Sequence, residues 1–263
     1  MSGMISVEEG FDFRGQVVLI TGAAAGIGLA IAQGFAARGA RLALLDRDAG
    51  VAEVARLLAP PGDAGGEAGA HAAFALDVTD SEAAIRTVAA IEQRFGRIDV
   101  LVNNAGIARL AAAETVELAD WDFHMALNLR APFVLTQQVG RIMLRQKYGR
   151  IVSMASQAGI VALPNHLAYC VTKAGIINMT KVLALEWGPH GITANAISPT
   201  VVETELGRKV WAGAPGEAMK QLIPARRFAQ PGEIAMAALY LASRGAGMIN
   251  GENLVVDGGY TIQ

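Results

Sequence analysis

From Gln16 onward, short runs of aliphatic and β-branched residues alternate with longer Ala-rich stretches in which apolar positions recur every three to four residues. Side chains alternate faces in a strand and return to one face about every 3.6 residues in a helix, so the short runs read as strands and the long stretches as helices. Strands are expected at Gln16–Ile20, Arg41–Leu45, His71–Leu76, Val100–Asn103, Arg150–Met154, Ile192–Ile197 and Asn253–Val256. Helices are expected at Ile27–Arg38, Ser81–Phe95, Trp121–Lys147, Ala168–Trp187 and Pro231–Leu241. Such alternation marks βαβ units and a parallel sheet. The fold class expected is therefore α/β, a doubly wound seven-stranded parallel sheet with helices on both faces. The alternation reaches the C-terminus without a change in composition, so residues 12–263 read as one domain. Residues 1–11 read as a flexible tail and Pro60–Gly69, rich in Gly, Pro and Ala, as a surface loop.

Composition narrows the class. Hydrophobic residues make up 52% and charged residues 17% of the 263, which suits a large core and excludes a disordered chain. A net charge of −2 and no run of five Lys or Arg give no field for nucleic acid. Cys170 is the only cysteine, so no intrachain disulfide forms, and His71, His124, His166 and His190 lack metal-ligand spacing, so no metal is expected. The start carries Glu8, Glu9 and Asp12 where a signal peptide needs basic residues, and no apolar stretch approaches about 18 residues. A cytoplasmic protein with no membrane partner is expected.

The first strand runs into Thr21-Gly22-Ala23-Ala24-Ala25-Gly26-Ile27-Gly28 and then a helical pattern. Glycine lets backbone approach a pyrophosphate, and the N–H groups that open a helix carry partial positive charge, so Gly22, Gly26, Ile27 and Gly28 read as the dinucleotide cradle of a Rossmann fold. Asp46 ends the second strand 18 residues after Gly28, near the offset at which an acid meets the adenosine ribose. Its carboxylate opposes a 2′-phosphate by roughly 4 kcal/mol at about 4 Å and an effective dielectric near 20. With no base at Ala24 or Ala25, NAD is the cofactor expected; an Asp that merely caps a turn, and the neighbouring Arg47, are the opposing considerations. Asp77 after the third strand and Asn103-Asn104-Ala105-Gly106 at the fourth stand at carboxyl strand ends, where ligands of open α/β sheets collect.

Tyr169 and Lys173 lie four apart in a helical pattern, which sets an ammonium one turn from a phenol. A phenol working near neutrality needs its pKa lowered by roughly 2–3 units, an effect of the size a close lysine supplies. Ser156 closes the fifth strand 13 residues before Tyr169 and is placed to orient a substrate oxygen. The Thr-Gly-x-x-x-Gly-x-Gly turn, Asn103-Asn104-Ala105-Gly106, Ser156, Tyr169 with Lys173, and Val256-Asp257-Gly258-Gly259 occur in order. In these motifs, from about Gly15 to Gly259, the chain resembles the classical short-chain dehydrogenase/reductase family.

That resemblance implies interconversion of a secondary alcohol and a ketone on a nicotinamide cofactor. It adds Asn128 as a fourth catalytic residue, holding a water that links Lys173 to solvent. It assigns Asp77 and Val78 to the adenine, Asn104, Ala105 and Gly106 to the cofactor, Tyr169 and Lys173 to the nicotinamide ribose, and Pro199, Val202 and Thr204 to the nicotinamide end. A substrate lid is implied at about residues 200–221, and a homotetramer is the assembly expected. Where the family usually has Pro-Gly this chain has Pro199-Thr200, which puts the lid's path in question. Gln157, Asn165 and His166 read either as substrate-facing polar groups or as solvated surface groups, and Trp211 either stacks on a carbon skeleton or anchors the lid. The runs Ala105–Leu110 and Val256–Thr261 also look like bacterial polyol dehydrogenases of the family, so a small polyol or sugar alcohol is the substrate expected. The alternatives are a 3-oxoacyl carrier protein reductase and a non-catalytic dinucleotide-binding regulatory protein.

Overall fold

Seven parallel strands, β1 Val17–Thr21, β2 Arg41–Asp46, β3 Ala72–Ala75, β4 Val100–Asn103, β5 Gly149–Met154, β6 Ile192–Pro199 and β7 Asn253–Val256, form one sheet in the order β3-β2-β1-β4-β5-β6-β7. The computed structural model describes residues 6–58 and 71–263, so the expected Pro60–Gly69 loop and the start of the expected tail lie outside the described residues. Because the chain moves outward from β1 through β2 to β3 and then returns to place β4 on the other side of β1, the loops after β1 and β4 diverge and open a crevice at the carboxyl edge.

The strands are apolar on both faces because both are covered. Val18, Ile20, Leu42 and Leu44 point to one side, where α2 Gly26–Ala36, α3 Val51–Leu58 and α10 Pro231–Ala242 contribute Ile31, Phe35, Val51, Ile234 and Leu239. Val17, Leu19, Ala43 and Leu45 point to the other, against Val88 and Ile91 of α4 Ser81–Phe95 and Leu135, Val139 and Met143 of α6 Ala131–Gln146. Each fully buried aliphatic side chain stabilises the fold by about 1.5–3 kcal/mol, so these two layers hold the sheet rigid beneath the crevice.

Four features differ from the pattern read in the sequence. Part of the expected tail, Val7–Gly10, is one helical turn, α1, closed by Ser6 and Glu9 in a reciprocal capping box. The helix α3 was not anticipated. The single helix expected at Trp121–Lys147 is instead α5 Leu118–His124, a π-helical turn Met125–Arg130, and then α6. Pro132 has no N–H to give the Asn128 carbonyl in α register, and the Ala131 N–H bonds Ala126, five residues back. After α7 Leu167–Trp187, the segment expected as a lid holds two short helices, α8 Glu205–Val210 and α9 Ala214–Leu222. No helix among the described residues is long and apolar enough to cross a membrane.

Candidate active site

The turns after β1 and β4 are tied together by Thr21. Its Oγ accepts the backbone N–H groups of Asn104 and Ala105, each at 3.0 Å, while the Asn104 amide donates to the carbonyls of Thr21 at 2.9 Å and Gly22 at 3.1 Å. Gly22 and Gly26 have φ of +66° and +57°, and a Cβ on Gly28 would lie 2.0 Å from the Gly22 carbonyl oxygen. Ala25 caps α2 without a side-chain hydrogen bond, so the first N–H groups of that helix remain open to an anion. Thr204 packs on this turn and caps α8, accepting the Gly207 N–H at 2.9 Å. Val202 is buried and bridges Ala229, and Pro199 ends β6.

Asp46 holds the turn as well as facing the crevice: one carboxylate oxygen accepts Ala24 N–H at 2.9 Å and the other Asp48 N–H at 3.0 Å. A pocket of about 240 Å³ lies beside it, lined by Gly22, Asp46, Arg47, Asp77, Val78, Ala105, Gly106 and Leu127 among others. The Thr79 side chain and backbone hold the Asp77 carboxyl below the usual carboxylate range. A glycine cradle that a Cβ would fill, an open helix terminus and an acid at the second strand end fit a nicotinamide dinucleotide.

Across the crevice, Ser156 follows β5 in extended backbone and accepts the Ala158 N–H at 3.1 Å, and its hydroxyl is near enough to the Tyr169 phenol to favour the phenol's charged form. Lys173 is buried and donates to the Met154 carbonyl at 2.7 Å, with its Nζ 5.5 Å from the centre of the Tyr169 ring. Asn128, buried in the π turn, accepts Ile107 N–H at 3.0 Å and donates to the Ile107 carbonyl at 2.8 Å. A Cβ on Gly106 would stand 3.2 Å from Asn128 Oδ1 and 3.5 Å from Lys173 Nζ, so the bare Gly106 backbone is where these groups converge.

The electrostatics of the pair are set first by enclosure. Burial pushes the Tyr169 phenol up, partly offset by the Ser156 hydroxyl, so the lowering expected from Lys173 is not what enclosure by the chain alone produces. Burial also drives Lys173 itself down to about 8. Desolvation disfavours whichever form is charged, so enclosure moves the two groups in opposite directions.

The proposed substrate groups are placed unevenly. Gln157 is buried beside Ser156, and the His166 ring meets the Tyr169 ring edge-on at 6.2 Å. Asn165 is exposed in a left-handed conformation, φ 65°, and its carbonyl accepts Ala111 N–H. Trp211 packs on Phe228 at 6.2 Å, in the small cluster that tethers the α8–α9 segment. Thr200 is not among the positive-φ residues, so the departure from glycine there strains nothing. Two positioning residues escaped the sequence reading. Thr21 was visible only as part of a glycine motif. Gly159 carried no local signal: a Cβ there would lie 2.7 Å from the Lys173 carbonyl carbon, so only glycine lets the turn after Ser156 rest on α7.

Comparison with known proteins agrees with this geometry. The family model described as enoyl-(acyl carrier protein) reductase matches residues 22–261. The chain is 54% identical over 255 residues to D-threitol dehydrogenase of Mycolicibacterium smegmatis, covering 96% of each chain. It is 46% identical over 256 residues to NAD-dependent glycerol dehydrogenase of Listeria innocua, covering 97% of this chain and 98% of the relative. A crystal structure from Beutenbergia cavernae, described there as an NAD(P) dependent gluconate 5-dehydrogenase with NADP bound at low occupancy, superposes with a TM-score of 0.90 at 36% identity, covering 97% of this chain and all of that one.

Proposed function

The chain belongs to the short-chain dehydrogenase/reductase family and is an alcohol oxidoreductase, and from that premise we propose that it oxidises a secondary hydroxyl of a small polyol with NAD. The observation that carries the proposal is the Ser156–Tyr169–Lys173 cluster at the carboxyl edge of the sheet, facing a dinucleotide cradle that ends in Asp46. The polyol assignment draws support from the two relatives named for threitol and glycerol. NAD over NADP draws support from Asp46 and from the glycerol dehydrogenase; the neighbour with bound NADP makes the coenzyme a point to measure.

In this reading Gly22, Gly26 and Gly28 with the start of α2 hold the pyrophosphate, Asp46 the adenosine ribose and Asp77 with Val78 the adenine. Ile27, Asn104, Ala105 and Gly106 shape the middle of the groove, and Pro199, Val202 and Thr204 meet the nicotinamide end. When bound, the dinucleotide supplies the hydride acceptor. Ser156 hydrogen-bonds the substrate oxygen, and Tyr169, whose phenol holds its own proton in this buried site, takes the substrate's proton as it gives up its own toward Lys173. Lys173 and Asn128 pass that proton toward solvent. The protein thus contributes position and preorganised charge. We also propose a homotetramer, because Phe133 of α6 and Leu167, Val171, Val182 and Leu185 of α7 leave large apolar side chains exposed.

Steady-state kinetics with NAD and NADP on glycerol, tetritols, pentitols and hydrophobic secondary alcohols tests the reading. The expected result is the highest kcat/KM on a polyol with NAD. A hydrophobic alcohol preferred over every polyol, or NADP preferred over NAD, rejects the corresponding part.

A further inference from the structure

Between β4 and α5 the chain runs as a strap, residues 107–111, that belongs to no strand of the sheet. Both of its ends adjoin the catalytic pair. At one end, the Gly106 backbone stands where Lys173 Nζ and Asn128 converge. At the other, Ala111 bridges His166 and donates its N–H to the Asn165 carbonyl at 3.0 Å, and the His166 ring lies edge-on to that of Tyr169.

The strap is anchored at every second residue. Asn128 accepts the N–H of Ile107, His124 Nε2 accepts the N–H of Arg109 at 3.0 Å, and the Asn165 carbonyl accepts that of Ala111. A backbone N–H can only donate, so Nε2 carries the ring's lone pair, and Nδ1, 2.7 Å from the Asp120 carbonyl, carries its proton. His124 is 1% exposed, and with both ring nitrogens committed to backbone it has no lone pair left for proton transfer. It closes α5 four residues before Asn128, so α5 and the π turn present two anchors in succession. The Arg109 guanidinium adds an outer hold, lying over the Phe123 ring at 4.2 Å and pairing with Asp120 at 2.6 Å. That ion pair is partly exposed and screened by solvent, which leaves the His124 bond as the inner hold on the middle of the strap.

We propose that His124 is a positioning residue for the reaction: by accepting the Arg109 N–H it fixes the strap between Lys173 and Tyr169, and so sets the wall against which the alcohol rests. The inference rests on the reading of Ser156, Tyr169 and Lys173 as the catalytic group, and not on which alcohol is oxidised. Ile107 lines the cofactor pocket and stays held by Asn128 through both its N–H and its carbonyl. Losing the His124 bond therefore frees only the part of the strap beyond Ile107, on the side of His166 and Tyr169. The phosphate turn, tied by Thr21 and Asn104, is untouched. The KM of the alcohol is the quantity that responds, and cofactor affinity is the one that does not.

Two replacements separate the two bonds of the ring. Gln reaches as far as Nε2, and its carbonyl oxygen can accept the Arg109 N–H; Asn reaches only as far as Nδ1, and its amide can donate only to Asp120. The experiment measures kcat and KM for the preferred alcohol at saturating NAD in wild type, His124→Gln and His124→Asn, with NADH affinity by fluorescence titration and thermal midpoints. His124→Asn is expected to raise the alcohol's KM about tenfold with kcat changed less than about threefold, and His124→Gln to stay near wild type, with NADH affinity held in both. A histidine that merely supports the fold would move the midpoints and leave the two KM values alike, and that result overturns the inference. NADH affinity falling as far as KM rises overturns it too. Should the His124 variants fail to fold, Ala111→Pro removes the N–H of the partly exposed far anchor; a similar rise in KM supports the inference and an unchanged KM overturns it. A preferred alcohol that is not a polyol rejects the polyol reading alone, and the same comparison of variants still decides the role of His124.

Discussion

Burial lowers Lys173 from 10.5 to about 8, and that gap is also a stability effect of about 3 kcal/mol. The unfolded chain keeps this proton up to about pH 10.5, whereas the folded protein releases it near 8, so folding is disfavoured below pH 8 and the cost fades as pH rises. Replacing Lys173 by Met removes the cost and leaves the Met154 carbonyl unpaired, at about 1 kcal/mol. Lys173→Met is therefore expected to be inactive yet about 2 kcal/mol more stable than wild type at pH 7, with the advantage gone by pH 10. Urea unfolding at the two pH values checks it, and an advantage independent of pH counts against the buried charge. The raised Tyr169 phenol acts in the opposite direction only above pH 10, outside that window. Tyr169→Phe keeps the ring and loses the proton acceptor, so kcat should fall at least about a hundredfold while NADH affinity changes little; near-normal turnover would remove Tyr169 from the mechanism. At Asp46, serine is the informative replacement, because it retains an acceptor for the phosphate turn and deletes the charge. The ratio of NADP to NAD efficiency should rise at least about tenfold, and an unchanged ratio would show that Asp46 does not set coenzyme choice.

At the scale of elements, the site depends on close approaches between segments that are distant in sequence. The turn Gln157–Gly159 rests on the backbone of α7 because Gly159 has no side chain; a Cβ would stand 2.7 Å from the Lys173 carbonyl carbon and 2.9 Å from Ala174 N. Gly159→Ala should push Ser156 away from Tyr169, costing about 1–3 kcal/mol in stability and lowering kcat more than about tenfold. Circular dichroism melts alongside kcat would separate the two effects, and a fully active Gly159→Ala protein would show that this contact does not position Ser156. The π turn at Met125–Arg130 acts similarly. It carries Asn128 to the Ile107 backbone, where the side chain makes two hydrogen bonds that an Asn on an uninterrupted helix face would have no reason to find.

For the whole molecule, the decisive surface is α7. Leu167, Val171, Val182 and Leu185 recur at helical spacing on its exposed side, and Leu185 is 80% exposed. The opposite flank of the same helix carries Tyr169 and Lys173, so the helix that would join subunits is the helix that holds the catalytic pair. Leu185→Glu is expected to reduce the mass measured by light scattering at micromolar concentration, by placing a charge in a desolvated interface. A wild-type mass of a single chain would refute the tetramer, and an unchanged tetramer in Leu185→Glu would locate the contact elsewhere.

Local order along the chain determined much of this protein. The alternation of short and long apolar patterns foretold seven parallel strands, because backbone periodicity is a property of a few consecutive residues. The glycines after β1 and the four-residue spacing of Tyr169 and Lys173 were legible for the same reason: a tight turn and one helical turn are short-range demands. The break in the helix at Pro132 and the cap at Ser6 were also written locally, and were overlooked. Tertiary structure alone decided the rest. Gly106 meets Lys173 and Asn128 only because β4, the π turn and α7 converge, and nothing near Gly159 in sequence announces the helix lying against it. The direction in which Tyr169 and Lys173 titrate was decided there too, since desolvation is set by every segment that encloses a group, and those segments come from the whole length of the chain.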